Sequence, residues 1–439
     1  MCIRIVYPQR LLLFRKIIDI RKEVAVLDLG TDTTCAAIAK IERKDSDALS
    51  GFGKGIRILG IGYQLTKGIK RGAITNLEDL EDSLIGSILT AEKEAQKNVK
   101  SVFVSIPSWA IVSRAIDNSI EIGQVPVDDV HVNSLMNFDC SRSSDPTMEM
   151  IHIFPISYSI DENDGIHAPL GMVGEILSGT FHVMYAKSSL LQNIKNCLSR
   201  NNIDVEGFIC STYASVLSVL LEDETISGVT LIDIGGTTTS ICCINDGTVL
   251  YLGTIPVGSQ NVTNDIAMVL RTSKSNAERL KILYGVSAEN PHYEEEQILV
   301  SRIDEYGEEH IQNISKGMLN SIIAARFEEM LESVEKHIET CGADKLLYQR
   351  IVITGGGSRI SGLTGLIRSR RYFNGLSVRL GKPVGTIGSH DFVQTASFAT
   401  AAGAAMYCLG ELQGISSIRQ SLYKKSFRQK LITWFKRGV

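Results

Sequence analysis

The sequence has no run of the roughly 20 apolar residues that a membrane-spanning helix requires, which excludes an integral helical membrane protein. Its nine cysteines carry no paired spacing, and no CxxC or HExxH pattern occurs among the cysteines and eight histidines. A disulfide framework and a structural metal are therefore excluded, and the cysteines are expected to be reduced core residues of a cytoplasmic protein. Cys242 and Cys243, adjacent on a strand, should face opposite sides. No excess of one charge exists either: net charge is −4, so no global basic field invites nucleic acid. Leu11 to Phe14 is too short for a signal core, and the basic stretch 1–23 reads as an extended lead-in or as an extra membrane-facing helix.

What is present is a chain of 439 residues with 44% hydrophobic side chains, enough for about two to four lobes. Strand-like runs alternate with helical apolar spacing at Leu77 to Ala95, Leu190 to Arg200, Val262 to Leu270 and Ile322 to Ile338, which predicts an α/β fold throughout. Nothing between Gly123 and Met150 is strongly periodic, and Ser141 to Thr147 reads as a loop.

The informative feature is an internal echo. Val24 to Ile41 (VAVLDLGTDTTCAAIAKI) and Val229 to Ile244 (VTLIDIGGTTTSICCI) share one plan: a buried strand ending in Asp-x-Gly, a hydroxyl-rich turn and a returning strand. Asp28 and Asp233 are the equivalent acids. Glycine lets backbone amides approach an anion, so Gly30, Thr31, Asp32 and Thr33, with Gly235, Gly236, Thr237 and Thr238, are candidate phosphate-binding residues. A carboxylate ahead of each turn would repel phosphate unless it held a hydrated Mg²⁺ between the hairpins. A third segment, RIVITGGGS, runs a buried strand into Gly355, Gly356, Gly357 and Ser358, with room for a planar ring, and a helix is expected over Gly362 to Arg368.

These three segments, in this order, resemble the two phosphate motifs and the adenosine motif of the actin, Hsp70 and sugar-kinase superfamily. The resemblance implies ATP with Mg²⁺ as ligand, and it places Glu278 and Lys281 beside the ribose and adenine. Arg71-Gly72-Ala73-Ile74, the strand Val102 to Ile106, His152 to Gly174 with Pro169, Gly171, Met172 and Gly174, and above all Ile255 to Gly285 are similar to the FtsA family. That resemblance implies a duplicated two-lobed actin-like fold divided as a basic arm (1–23), a first-lobe core (24–105 and 186–207), an inserted FtsA-type subdomain (106–185), a second-lobe core (208–257 and 326–410), its small subdomain (258–325), and a linker with terminal helix (411–439). Two departures stand out: Thr237 replaces the third glycine of the family's second phosphate loop, with Ser240 near its acidic end, and Ser259 replaces a glycine. The helix Ser211 to Leu221 also offers no Glu or Gln to orient a water, so slow or negligible ATP turnover is expected.

At the C-terminus, Ile415, Ile418, Leu422, Leu431, Trp434 and Phe435 recur at helical intervals, with Phe427 nearby. Seven bases, Arg419, Lys424, Lys425, Arg428, Lys430, Lys436 and Arg437, surround them with no acid after Glu411. Such a helix buries its apolar face at the headgroup boundary while its cations meet anionic lipid. The FtsA resemblance agrees, and it implies further partners: the C-terminal peptide of the tubulin-like ring protein FtsZ at Arg326 and Glu329, other copies of the chain in a filament, and downstream division proteins, at the inner face of the cytoplasmic membrane. A sugar or acid kinase and a pilus-type scaffold on the same fold are the alternative readings.

Overall fold

The computed structural model describes residues 23–42, 55–70, 73–136, 147–287, 295–303, 308–340 and 350–409. In chain order the strands are β1 (Glu23–Leu29), β2 (Thr33–Glu42), β3 (Gly55–Leu65), the short pair β4 (Ile69–Lys70) and β5 (Ala73–Ile74), β6 (Ser101–Ile106), β7 (Ile111–Glu121), β8 (Met148–Ile160), β9 (Asn163–Ile166), β10 (Ile176–Lys187), β11 (Asp204–Cys210), β12 (Val229–Ile234), β13 (Thr239–Asn245), β14 (Thr248–Ile255), β15 (Gln297–Ile303), β16 (Glu309–Ser315), β17 (Arg350–Thr354), β18 (Ser377–Leu380) and β19 (Thr386–Ile387). The helices needed below are α1 (Leu77–Ala95), α2 (Asp129–Met136), α3 (Ser188–Ser199), α4 (Ser211–Val219), α5 (Glu222–Ser227), α6 (Ser259–Val269), α7 (Lys274–Tyr284), α8 (Lys316–Thr340), α9 (Leu363–Ser369) and α10 (Ala399–Cys408).

Two large sheets repeat one design. The first runs β11-β6-β1-β2-β3-β19 and the second β18-β17-β12-β13-β14 when read from the matching edge. In each, a hairpin of antiparallel strands continues into parallel pairs, β1 with β6 and β12 with β17. Register repeats as well, Asp28 facing Cys35 and Asp233 facing Ser240. The parallel strands are buried on both faces, which is why VAVLDL and VTLIDI read as nearly unbroken apolar runs rather than alternating ones.

The layers follow from which face each side chain takes. Leu27, Leu29, Ala36 and Ile38 of the first sheet pack under α1 and α3 through Leu80, Leu84, Ile88, Leu191 and Ile194. The opposite faces of both sheets close on α4 and α10: Val24, Val26, Leu231 and Cys242 share one core with Tyr213, Ala214, Ala401 and Ala405. Cys243 points the other way, into the core beneath α8, as its strand alternation requires. At the centre α4 and α10 touch backbone to backbone. A Cβ on Gly403 would stand 1.7 Å from the Ala214 carbonyl oxygen, so only glycine fits that crossing.

Helix α1 spans the expected Leu77 to Ala95, with Asn76 as N-cap: its side-chain oxygen accepts the Glu78 amide at 3.0 Å. Most of the other expected helices are shifted or lengthened by a few residues, most of all α8, which begins at Lys316 rather than near Ile322, whereas α4 is shorter than the expected Ser211 to Leu221 and stops at Val219. Helices α2, α5 and α10 were not expected. α2 has eight residues, too few turns for an apolar period to register, and it buries Leu135 against the β7-β10-β8-β9 sheet. That sheet and α2 form a separate body between β6 and α3. The segment 326–410 carries β17 and β18 of the second sheet, then gives β19 to the edge of the first, and α10 packs over β1, β2 and β6 as well as on α4. None of the described helices is long and apolar enough to cross a membrane.

Candidate functional site

Each hairpin turn is closed by one backbone bond of the same kind: the Gly30 amide donates to the Thr33 carbonyl at 3.0 Å, and the Gly235 amide to the Thr238 carbonyl at 2.8 Å. The Thr237 departure leaves that closure intact, because the bond uses backbone atoms only. The two turns face one another directly. A Cβ on Gly236 would lie 2.5 Å from the Asp32 Cβ, so the first turn rests on the second.

Asp28 and Asp233 are the next-to-last residues of their strands and are half-buried. Ser105, opposite Asp28 on β6, donates its hydroxyl to Asp28 Oδ1. Ser215, on α4, donates to Asp233 Oδ2 at 2.8 Å and shares a 3.0 Å contact with the Thr400 hydroxyl of α10. Burial pushes the Asp28 carboxyl up to about 7, with the Ser105 bond opposing and the Asp233 charge adding to the rise. Burial likewise raises Asp233 to about 6 against the Ser215 bond. The Asp28 and Asp233 charges are close enough to act on one another, and a cation between them would lower both.

The remaining walls come from the second lobe. After β17, Gly355 takes φ +85°, and a Cβ there would meet Asp233 Oδ1 at 2.3 Å and the Ile234 carbonyl oxygen at 2.5 Å; the turn is glycine because hairpin and turn are in contact. A Cβ on Gly357 would strike Ile234 Cγ2 at 2.5 Å and Ser259 Cβ at 3.0 Å. Ser358 closes this turn on itself, its hydroxyl donating to the Gly355 carbonyl at 2.7 Å. The start of α6 braces the second hairpin through the Ser259 amide to the Gly235 carbonyl at 3.0 Å and the Gln260 amide to the Gly236 carbonyl at 2.7 Å. Ser259, where the FtsA pattern has glycine, makes that contact with its backbone.

Lys281 is nearly buried on α7. Its Nζ donates to the Ser259 carbonyl at 3.2 Å and the Thr263 hydroxyl at 2.8 Å, and it pairs with Glu278 at 2.8 Å. Burial raises the Asp32 carboxyl; the Gln260 bond and Lys281 oppose this while Glu278 adds to it, so Asp32, Glu278 and Lys281 feel one another across the cleft. The structure thus brings together Asp28, Gly30 to Thr33, Asp233, Gly235 to Thr238, Gly355 to Ser358, and Glu278 with Lys281.

Arg326 and Glu329 stand elsewhere, on α8. Arg326 is clamped by Asp265 of α6, with Nη2 to Oδ1 at 2.9 Å, and pairs with Glu329 at 2.9 Å. The expected lipid-facing residues Leu422, Lys424, Lys425, Phe427, Arg428, Lys430, Leu431, Trp434, Phe435, Lys436 and Arg437 lie outside the described residues, as does the arm 1–22. Sequence reasoning missed Ser105, Ser215, Gln260 and Thr263. Only Ser105 left a trace, since it sits opposite Asp28 in the register that puts Thr354 opposite Asp233.

The residues fit a nucleoside triphosphate. Glycines at 236, 355 and 357 let the two turns and the adenosine segment close on Asp32, Asp233, Ile234 and Ser259, and the turns offer backbone amides to an anion. Among the described residues no three His, Cys, Asp or Glu side chains converge to hold a metal by themselves. A hard cation at Asp28 and Asp233 would need phosphate and water oxygens to complete its shell, as Mg²⁺ prefers.

A family model described as "Cell division protein FtsA" matches residues 230–403, and one described as "SHS2 domain inserted in FTSA" matches residues 110–185, the span of the separate sheet. The cell division protein FtsA of Agrobacterium fabrum is 32% identical over 385 residues, covering 88% of this chain and 86% of that protein. FtsA of Pseudomonas aeruginosa is 30% identical over 388 residues, covering 88% and 89%. Among solved structures, a chain of the PilM-PilN type IV pilus biogenesis complex superposes with TM-score 0.61 at 15% identity, covering 88% of this chain and 98% of that one. MreB5 of Spiroplasma citri bound to ADP follows at 0.51 and 13%, covering 92% and 99%. At such identities the likeness is one of fold: the duplicated two-lobed α/β architecture is actin-like, as expected.

Proposed function

The chain belongs to the FtsA family of cell division proteins, and from that premise we propose that it is an actin-like ATP-binding protein that ties the division ring to the inner face of the cytoplasmic membrane. The observation that supports this reading is the pair of opposed turns: two hairpins of identical register, each with a half-buried aspartate ahead of its turn, meet where Asp32 lies on Gly236. A triphosphate with Mg²⁺ supplies the charge that the two turns grip. The turn amides of both lobes receive the phosphate oxygens, Asp28 and Asp233 hold the hydrated cation, and Ser105 and Ser215 orient those carboxylates. Gly355 to Ser358 and the Glu278–Lys281 pair border the nucleoside. The ADP named for the Spiroplasma structure of the same fold supports the choice of ligand.

Turnover is slow in this reading. α4 gives Ser215 to Asp233 while Ser211 and Thr212 meet the Ser108 hydroxyl, and it has no carboxylate or amide side chain to orient a water. The nucleotide sets the angle between the lobes and favours head-to-tail filaments, the basic amphipathic C-terminus binds anionic lipid, and many weak anchors on one filament add by avidity. The FtsZ C-terminal peptide docks on the second lobe near Arg326 and Glu329, where a carboxylate of the peptide competes with Asp265 for the guanidinium, and further division proteins join the assembly. The kinase alternative would need a catalytic base besides Asp28, Asp32 and Asp233, which the turns already engage, and the pilus-type alternative rests on fold alone.

Titration calorimetry of the full chain with Mg²⁺ and ATP tests the cleft. Binding in the wild type, lost by at least about 100-fold when Asp28 and Asp233 are both replaced by Ala, is the expected result. Absence of heat with the wild type ends the proposal.

A further inference from the structure

The two turns are built alike but are not used alike. Gly30-Thr31-Asp32-Thr33 carries a carboxylate at its third position, where Gly235-Gly236-Thr237-Thr238 carries a hydroxyl. That carboxylate is half-buried against the opposite lobe. The ideal Cβ of Gly236 falls 2.5 Å from the Asp32 Cβ and 3.2 Å from its Oδ2, so the side chain lies against the glycine through which the second turn opens to an anion.

Gln260, at the start of α6, donates its Nε2 to Asp32 Oδ1, a bond between residues 228 apart in sequence that joins one lobe to the other. Gln260 is itself held to the second turn by its amide on the Gly236 carbonyl at 2.7 Å. Asp32 also fixes its own strand environment, its carbonyl accepting the Thr66 amide at 2.9 Å. Among the described residues no cation pairs with it: the nearby Lys281 ammonium is taken up by the Ser259 carbonyl, the Thr263 hydroxyl and Glu278. A negative group held at the mouth of an anion site by donors of the opposite lobe behaves as a stand-in for the anion.

We propose that Asp32 is a built-in occupant of the phosphate cleft: its contacts with Gly236 and Gln260 latch the two lobes together in the absence of nucleotide, and the phosphates bind by displacing it. The inference rests on the nucleotide reading of the cleft and adds its regulation. The apparent affinity is then the intrinsic one reduced by the unlatched fraction. Lobe closure has two alternative holders, the Asp32 carboxylate or the polyphosphate, which makes the empty protein closed but locked rather than open.

The test uses the full chain with Asp32→Ala and Asp32→Asn. In titration calorimetry with Mg²⁺ and ATP, Asp32→Ala should bind about tenfold tighter than wild type, the size of one charge-assisted hydrogen bond, with Asp32→Asn between them because it keeps an acceptor for Gln260 but not the charge. Without nucleotide, the amides of 235–238 should exchange hydrogen faster in Asp32→Ala, and its radius of gyration in solution scattering should rise. Equal or weaker ATP binding by both variants overturns the latch. If neither wild type nor variant binds nucleotide, the reading of the cleft fails instead, and the latch is judged on the nucleotide-free measurements: unchanged exchange and scattering in Asp32→Ala overturn it.

Discussion

The first hairpin and the second are the same object made twice, and the instructive part is where they differ. Both close with a glycine amide on the carbonyl three residues later, and both carry a half-buried aspartate one residue before the strand ends. Asp28 takes its hydroxyl from β6, its neighbour in the sheet, whereas Asp233 takes one from α4, which lies between the lobes. The first turn presents a side chain, Asp32, and the second presents the gap, Gly236, into which it fits. The contact is thus one of unlike residues, a side chain of the first turn filling the space that a glycine of the second leaves, as close packing requires.

The largest test of that asymmetry is to fill the gap. Gly236→Val puts branched carbons where Asp32 already lies at 2.5 Å, and it should abolish measurable ATP binding in calorimetry while costing about 1–3 kcal/mol in chemical denaturation. Thr31→Val, the corresponding change in the first turn, keeps the volume and should alter affinity less than about tenfold. Equal losses at both positions would mean that the turns are interchangeable after all.

A second test uses the protonation of the two acids. Folding raises both carboxyls above their unfolded value, so the stability they contribute is complete below about pH 4 and is lost as pH climbs through about 6 for Asp233 and about 7 for Asp28. The ligand-free protein should therefore melt at progressively lower temperature from pH 5 to pH 8. Asp28→Asn should flatten this dependence more than Asp233→Asn and stabilise the protein at pH 8 by on the order of 1–3 kcal/mol, while weakening nucleotide binding. A rising melting temperature across that range would contradict the burial of these acids as charged-state penalties.

The smallest effect separates the two supporting hydroxyls. Ser105→Ala and Ser215→Ala should each cost about 1 kcal/mol in thermal unfolding, with Ser215→Ala the more costly because that hydroxyl also meets Thr400 of α10. The reverse order would place the main support of the cleft inside the first sheet rather than at the helix crossing.

How much of this was legible beforehand depends on the distance over which each signal acts. Helix α1 was readable from Leu77 to Ala95 because its apolar period and its Asn76 cap are local. The hairpins were readable because Asp-x-Gly and the flanking strands occur twice in the linear string. α2 was too short to show a period, and the amphipathic C-terminus, the plainest charge pattern in the chain, lies outside the described residues. Ser215 and Gln260 left no mark at all. Each is an ordinary polar residue at a helix start or face, and only the folding of α4 and α6 onto the hairpins gives it a role.

The sequence by itself determined the duplicated plan, the two acids and the glycine turns, since glycine and aspartate at strand ends impose backbone approach and charge wherever the chain folds. Only the tertiary structure decided that the two turns touch, that Asp32 lies on Gly236, and that serines from β6 and α4 carry the aspartates. Those facts depend on how two lobes more than 200 residues apart close on each other, and no local pattern of side chains encodes the fit of one turn into the other.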